Sequence, residues 1–346
     1  MKTNLSTSGL VMRASALFAL LVYCHAGSQA QTKTLLALSK ANHTLSLVDP
    51  VSLKVIAKLP VGQDPHEVVA SSDGKMAYVS NTGGGHAHEI NALDLVAQKA
   101  LPNIDTGPFT GPHGLMFMGG KVWFSAEGAK SAARYDPATN KVDWCMGTGQ
   151  DRTHMIYVST NEREVYTTNV SSGTVSILTD TLLQPSGFAP PGARPRRDWI
   201  QIVIPVSVGA EGFDVTPDGK ELWTAASGDG VISIIDLATK KLSSQIDAKV
   251  KGANRLKFSP NGKLAFISSL GLGDLFVYDV ATRKEIKRIP VGRGASGLLV
   301  DLDGSRLFAA CSPDGYVAII DLKTLEVTGH LDVGGNPDGL AWAIRK

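Results

Sequence analysis

Imidazoles and carboxylates are the side chains that hold zinc, copper, iron or manganese, and three imidazoles with open positions beside them suit a catalytic or exchangeable ion. Three of the eight histidines in this chain, His66, His113 and His154, fall at one recurring position of an internal repeat. The same position in the other units holds Glu211, Asn254, Ser296 and Asp338. Read round a closed ring, this is an arc of three imidazoles flanked by two carboxylates. It predicts a divalent transition metal, or a metal-bearing small ligand, held by His66, His113, His154, Glu211 and Asp338. His43, and His86 and His88 in the segment Gly83-Gly84-Gly85-His86-Ala87-His88-Glu89, are expected on the same surface as outer ligands or proton shuttles. The alternative is a repeat that kept its histidines to hydrogen-bond neighbouring turns, with Glu211 and Asp338 capping loop amides.

The element that must position these residues is read from the repeat. An apolar pair, an Asp and a short turn recur at Asp49, Asp94, Asp136, Asp180, Asp236, Asp279 and Asp321, at intervals of 45, 42, 44, 56, 43 and 42. Each unit reads as four short strands with alternating apolar residues, as in 212–216, 221–225, 231–235 and 241–246. Asp-Gly and Asn-Gly pairs at 73–74, 218–219, 261–262 and 303–304 supply tight hairpins. Seven four-stranded units predict an all-β, seven-bladed β-propeller over 31–346, as in WD40-like repeat proteins, with strand 339–344 completing the first blade. In a propeller the first strand of each blade lines the channel. The ring residues lie twelve residues before the second-strand aromatics Tyr78, Tyr166, Trp223, Phe266 and Phe308, and ten before Trp123. They therefore belong at the channel mouth. The six Asp residues 49, 94, 136, 236, 279 and 321 read as structural Asx turns without chemistry.

Tyr78-Val79-Ser80-Asn81 and Tyr166-Thr167-Thr168-Asn169, with the Pro-Asp-Gly-Lys turn at 217–220 and the Pro-Val-Gly ends at 60–62 and 290–292, resemble the YVTN-type β-propeller repeat family of exported bacterial and archaeal proteins. The resemblance spans residues 32–346. It implies fold and export, and leaves function open among binding modules, surface proteins and relatives of enzymes. One blade, through Gly111-Pro112-His113-Gly114 and Val122-Trp123-Phe124-Ser125-Ala126-Glu127, is similar to the streptogramin-lyase propellers, metal-dependent enzymes that open cyclic lactones. That similarity implies a lyase or lactone-opening activity with Glu211 or Glu127 as the candidate catalytic carboxylate.

Residues 1–30 carry Lys2 and Arg13, an apolar run at 14–23 and small residues at 28–30, the pattern of a secretory signal peptide. Its removal lowers the formal charge from +2 to 0, because it holds those two cations and no acid. A neutral, exported, periplasmic or secreted chain has no global field for nucleic acid, and no later segment is apolar enough to span a membrane. Lipid anchoring at Cys24 is disfavoured by the bulky Tyr23 before it. Cys145 and Cys311 fall on distant blades and are expected as buried free thiols. The long fourth interval marks an insertion, 181–198, carrying Pro185, Pro190, Pro191, Pro195, Arg194, Arg196 and Arg197. It is expected as a rim loop on the face opposite the histidines, either solvated or a protein contact. A metal-free interaction scaffold is the remaining reading, and would call for aromatic and Arg anchors at the mouth rather than histidines.

Overall fold

Why seven copies of one unit close into a ring follows from where their aromatics go. The computed structural model describes residues 1–3, 32–188, 190 and 192–345. The predicted leader, apart from its first three residues, therefore lies outside the described residues. From Thr32 to Arg345 the described chain forms seven antiparallel four-stranded sheets, one of them with an added short strand, arranged as a seven-bladed propeller. The first, innermost strands are Pro65–Ala70 in blade 2, Pro112–Met118 in blade 3 and Thr153–Val158 in blade 4. Ala210–Val215, Ala253–Phe258 and Ala295–Val300 play this part in blades 5 to 7, and Pro337–Arg345 does so in blade 1. The last of these pairs with Thr32–Ser39, setting Leu35 against Trp342 and Leu36 against Ala341. Both ends of the described chain thus share one sheet.

In six of the seven blades the second strand presents one large ring to the next blade, and in blade 1 Leu36 and Leu38 take that place. Tyr78 packs with Leu115 and Phe124 of blade 3, Trp123 with Ile156 and Val158 of blade 4, and Tyr166 with Phe213 of blade 5. Trp223, Phe266 and Phe308 continue the series into blades 6, 7 and 1. Trp123, Trp223, Phe266 and Phe308 have no exposed surface. Truncating such a ring typically costs about 3–5 kcal/mol, so the core is an inter-blade layer repeated round the ring.

The hairpins follow the turn residues. Gly74, Gly219, Gly262 and Gly304 adopt φ of 67°, 73°, 69° and 71°, while the Asp or Asn before each stays outside the left-handed region. That residue accepts hydrogen bonds instead: Asp73 Oδ1 takes Ser71 Oγ at 2.7 Å and the Lys75 amide at 3.1 Å. In six blades the recurrent Asp at the turn into the fourth strand works the same way. Asp49 Oδ1, for example, accepts the Val51 and Ser52 amides at 2.8 and 2.7 Å.

Two expectations need correction. Segment 181–198 is not all loop: strands Thr174–Leu183 and Arg196–Pro205 stay paired out to Leu183 and Arg196, so 181–183 and 196–198 extend the ladder and the loop expected over 181–198 is confined to 184–195. Asp180 consequently pairs across from Trp199 instead of starting a turn, and Arg197 bonds its carboxylate at 3.4 Å. Cys145 is exposed and only Cys311 is buried. Cys145 lies on the outermost strand Lys141–Gly147, where alternate side chains face away from the molecule. Among the described residues no helix is long and apolar enough to cross a membrane.

Candidate metal centre

The ring residues are the second residues of the seven first strands, and that position is special in the ladder. In every blade the pairing between first and second strand shifts register there, as between Pro65–Asn81 and Val68–Val79. The irregularity frees an amide, and in four blades a second-strand hydroxyl takes it. Ser125 Oγ accepts the Gly114 amide at 2.8 Å and donates to the backbone oxygen of His154 in the next blade. Ser80 likewise accepts from Glu67 at 3.2 Å and donates to His113 O at 2.6 Å. Thr168 links Met155 to Glu211, and Ser268 links Arg255 to Ser296.

The third residue of these strands sets how closely the blades approach. It alternates round the ring: Gly339, Glu67, Gly114, Met155, Gly212, Arg255 and Gly297. A Cβ on Gly114 would stand 2.6 Å from the His154 backbone oxygen, and one on Gly339 would stand 2.5 Å from that of His66. Glycine on one blade thus lets the next strand pack against it. The His66 and His113 rings come within 4.6 Å of one another, and the His113 and His154 rings within 3.8 Å.

All seven ring residues line one mouth cavity of about 820 Å³, a size that suits a small-molecule ligand. His113 and His154 are each 3% exposed. His154 Nδ1–H donates to Glu127 Oε1 at 2.6 Å, which directs the other ring nitrogen elsewhere. That nitrogen, Nε2, and Nδ1 of His113 are buried with no hydrogen-bond partner among the described residues. One ligand atom from each of His113, Glu127 and His154 lies within 4.8 Å of the others. Burial, then the neighbouring His154, His66, Arg255 and Lys40 charges, hold the His113 pKa well below its ordinary 6.5, so its imidazole is neutral and free to ligate. Burial alone would raise the Glu127 pKa; the His154 hydrogen bond and the His154, Arg152 and His66 charges outweigh it and keep the carboxylate ionised. Leaving buried polar atoms unmade costs about 1–3 kcal/mol each, and a cation between these groups removes that cost.

His66 has different company. The Lys40 ammonium lies 2.7 Å from its Nε2, Asp64 Oδ1 lies 3.0 Å from the same nitrogen and Asp338 Oδ2 lies 3.5 Å from Nδ1. The His66 hydrogen bond, opposed by burial and aided by Thr82 and Lys40, lowers the Asp64 pKa strongly. Glu211 Oε2 accepts from Asn254 Nδ2 at 2.6 Å, and its other oxygen faces Arg152 at 3.9 Å. Beneath the mouth, Arg255 of blade 6 reaches across the channel to form an ion pair with Glu67 of blade 2, their side chains 7% and 14% exposed. Burial opposes the Arg255 charge, but Glu67, Asp338 and Glu211 more than compensate, so it stays cationic.

Of the sequence candidates, His113 and His154 meet in the cluster, and Glu127 joins them from the loop after Lys121–Ala126. His66, Glu211 and Asp338 line the same cavity outside that cluster. The Gly-rich segment does fold inward: the Gly111 amide donates to Ala87 O at 2.6 Å, and His86 lines the cavity. His43 and His88 are exposed and do not line it. Sequence reasoning missed Lys40, Asp64, Glu67, Arg152 and Arg255. Asp64, Glu67, Arg152 and Arg255 sit within two residues of ring positions, and that adjacency was the available signal.

No protein-family model matches the sequence, and no curated protein sequence matches it. Solved structures do. A functionally unknown protein from Desulfotomaculum acetoxidans DSM 771 aligns with a TM-score of 0.70 at 12% identity, over 90% of this chain and 99% of that one. A candidate 6-phosphogluconolactonase from Bacteroides uniformis ATCC 8492 gives 0.69 at 14% identity, over 90% and 99%. Kuenenia stuttgartiensis hydrazine synthase gives 0.66 at 17% identity, over 83% and 92%. At these identities the likeness is one of fold.

Two outcomes are expected. Gly114→Ala drives a methyl into the His154 backbone, so it should separate the two imidazoles and lower stability by about 1–3 kcal/mol, measured by chemical denaturation. His113, neutral when folded and titrating near 6.5 when unfolded, contributes stability that is fully present above that pH and lost as pH falls below it. Metal-free protein should therefore lose stability between about pH 7.5 and about pH 5, with a shallower fall in His113→Gln.

Proposed function

We propose that this is an exported propeller that binds a divalent transition metal ion at its channel mouth through His113, His154 and Glu127, serving as a binding or accessory protein. The carrying observation is the group itself: one ligand atom from each of His113, Glu127 and His154 lies within 4.8 Å of the others, and the His113 Nδ1 is buried without a hydrogen-bond partner among the described residues. Charge supports the reading. Lys40, Arg152 and Arg255 face Asp64, Glu67, Glu127, Glu211 and Asp338, leaving two negative charges when the imidazoles are neutral. A divalent cation cancels them. Two imidazoles and one carboxylate are a common set for zinc or ferrous iron and leave coordination positions open toward the cavity.

A second reading makes the site an enzyme. An ion bound here would supply a Lewis acid. Glu211, on the same cavity wall but outside the His/Glu cluster, is the carboxylate placed to hold or move a proton on a ligand. The lyase-like blade and the name of the Bacteroides uniformis neighbour direct a screen toward lactones. Assignment to the YVTN-type family and export both rest on the sequence motifs and the leader pattern.

Elemental analysis of the tag-free mature protein should find about one ion of zinc, iron, manganese or copper per chain, and almost none in the His113→Ala, His154→Ala double variant. Equal, substoichiometric metal in both proteins would sink the site. N-terminal sequencing of protein recovered from periplasm or medium should begin near Gln31; protein confined to the cytoplasm with an intact Met1 end would overturn export.

A further inference from the structure

A second set of ligating side chains stands next to the first, and a cation already fills it. Lys40 Nζ lies 2.7 Å from His66 Nε2, 3.1 Å from Asp64 Oδ1 and 3.6 Å from Asp338 Oδ2. One imidazole and two carboxylates converging on one point form a ligand set for a divalent ion; here that point is a nitrogen of the chain itself. The cluster adjoins the proposed metal position, since the His66 ring is 4.6 Å from that of His113, whose buried Nδ1 has no partner.

Lys40 is not there by chance of a flexible stem. The turn that carries it is docked on the chain just before the closing strand: the Lys40 amide donates to Asn336 O at 3.0 Å, and the Ala41 amide to Gly335 O at 3.2 Å. Ser39 Oγ adds a bond to Gly335 O at 2.7 Å. With its base fixed, the side chain delivers its ammonium at high effective concentration, which a free ion must exceed to displace it. A monovalent group also repels an ion in the neighbouring site half as strongly as a second divalent ion would.

We propose that Lys40 is the residue that makes this ring a one-metal site: its ammonium fills the second cation position, formed by Asp64, His66 and Asp338, and excludes a second divalent ion from it. This rests on the metal-binding reading above for the first ion only. The side chain is 24% exposed, so replacing it opens the position to solvent without cutting into the core.

The test is zinc titration of metal-free protein by calorimetry, checked by metal analysis after gel filtration, with anomalous diffraction to place the ions. Wild type should take up about one zinc and Lys40→Met about two, the second lying between Asp64, His66 and Asp338. Lys40→Ala should match Lys40→Met, which excludes a thioether ligand and serves if either variant folds poorly. Lys40→Arg, which keeps the charge, should return the count to about one, as should His66→Ala added to Lys40→Met. Uptake by Lys40→Met and Lys40→Ala equal to wild type, or Lys40→Arg behaving as Lys40→Met, would overturn the proposal. In a background of His113→Ala and His154→Ala, Lys40→Met should still gain about one zinc that His66→Ala removes. That arm separates the two ideas. If wild type binds none but this background gains its ion, the first site fails and the second stands; if wild type binds one and Lys40→Met gains none, the reverse holds.

Discussion

The inner ring depends on one repeated unit: a second-strand hydroxyl that accepts the amide freed by the irregular first strand and donates to the ring residue's carbonyl in the next blade. Ser80, Ser125 and Thr168 do this in succession and so fix the backbones of His113, His154 and Glu211. Each bond is worth only about 0.5–1.5 kcal/mol net, but an unmet buried amide costs more, so the unit is held by what its loss would expose. It also ties side-chain position in one blade to strand position in its neighbour. Two imidazoles on different sheets can then stand as precisely placed partners rather than as residues that happen to share a rim.

This explains which parts of the molecule were legible in the sequence. Blade number, strand order, closure by the last strand and the shared register of the ring are properties of spacing, and a repeat displays spacing directly. Tyr78-Val79-Ser80-Asn81 and Tyr166-Thr167-Thr168-Asn169 even spell the clamp: an inter-blade aromatic, then the bridging hydroxyl two residues on. The contacts of the ring were less legible. Glu127 stood out as a carboxylate of the lyase-like blade, but that it meets His154 did not, and Lys40 comes from a turn between second and third strands, where register carries no direction. The histidine trio looked equivalent because register was the only coordinate available. His66 differs from His113 and His154 through Lys40 and Asp64; Asp64 stands at a repeated position, two residues before the ring residue, but only in blade 2 does that position hold a carboxylate. The inserted segment misled for a related reason: its prolines mark the tip, while the strands leading to it have no signal beyond those of any ladder.

The glycine alternation at the third position has a consequence for charge as well as for packing. Where Gly339, Gly114, Gly212 and Gly297 leave space, Glu67, Met155 and Arg255 extend into the channel, and two of those three are opposite charges on blades 2 and 6. An ion pair this buried gains little net stability, because desolvation consumes most of the attraction, yet removing either partner would strand the other. Its value is positional. Arg255 also donates to the Asn254 side chain, which in turn holds Glu211 away from the histidines.

The same ion pair divides the channel. Above it lies the polar cavity of histidines and carboxylates; below it lies a cavity of about 390 Å³ walled by Leu115, Met116, Met155, Leu298 and Trp342. Arg255 borders both, so the mouth is a cup with a charged floor rather than one end of an open pore. Asp214 and Lys257, 3.8 Å apart, line the lower cavity as well, so charge is present on both sides of that floor. A cation entering from solvent meets two uncompensated negative charges and two waiting nitrogens at the closed end. The Glu67–Arg255 pair lies between that mouth and the lower cavity.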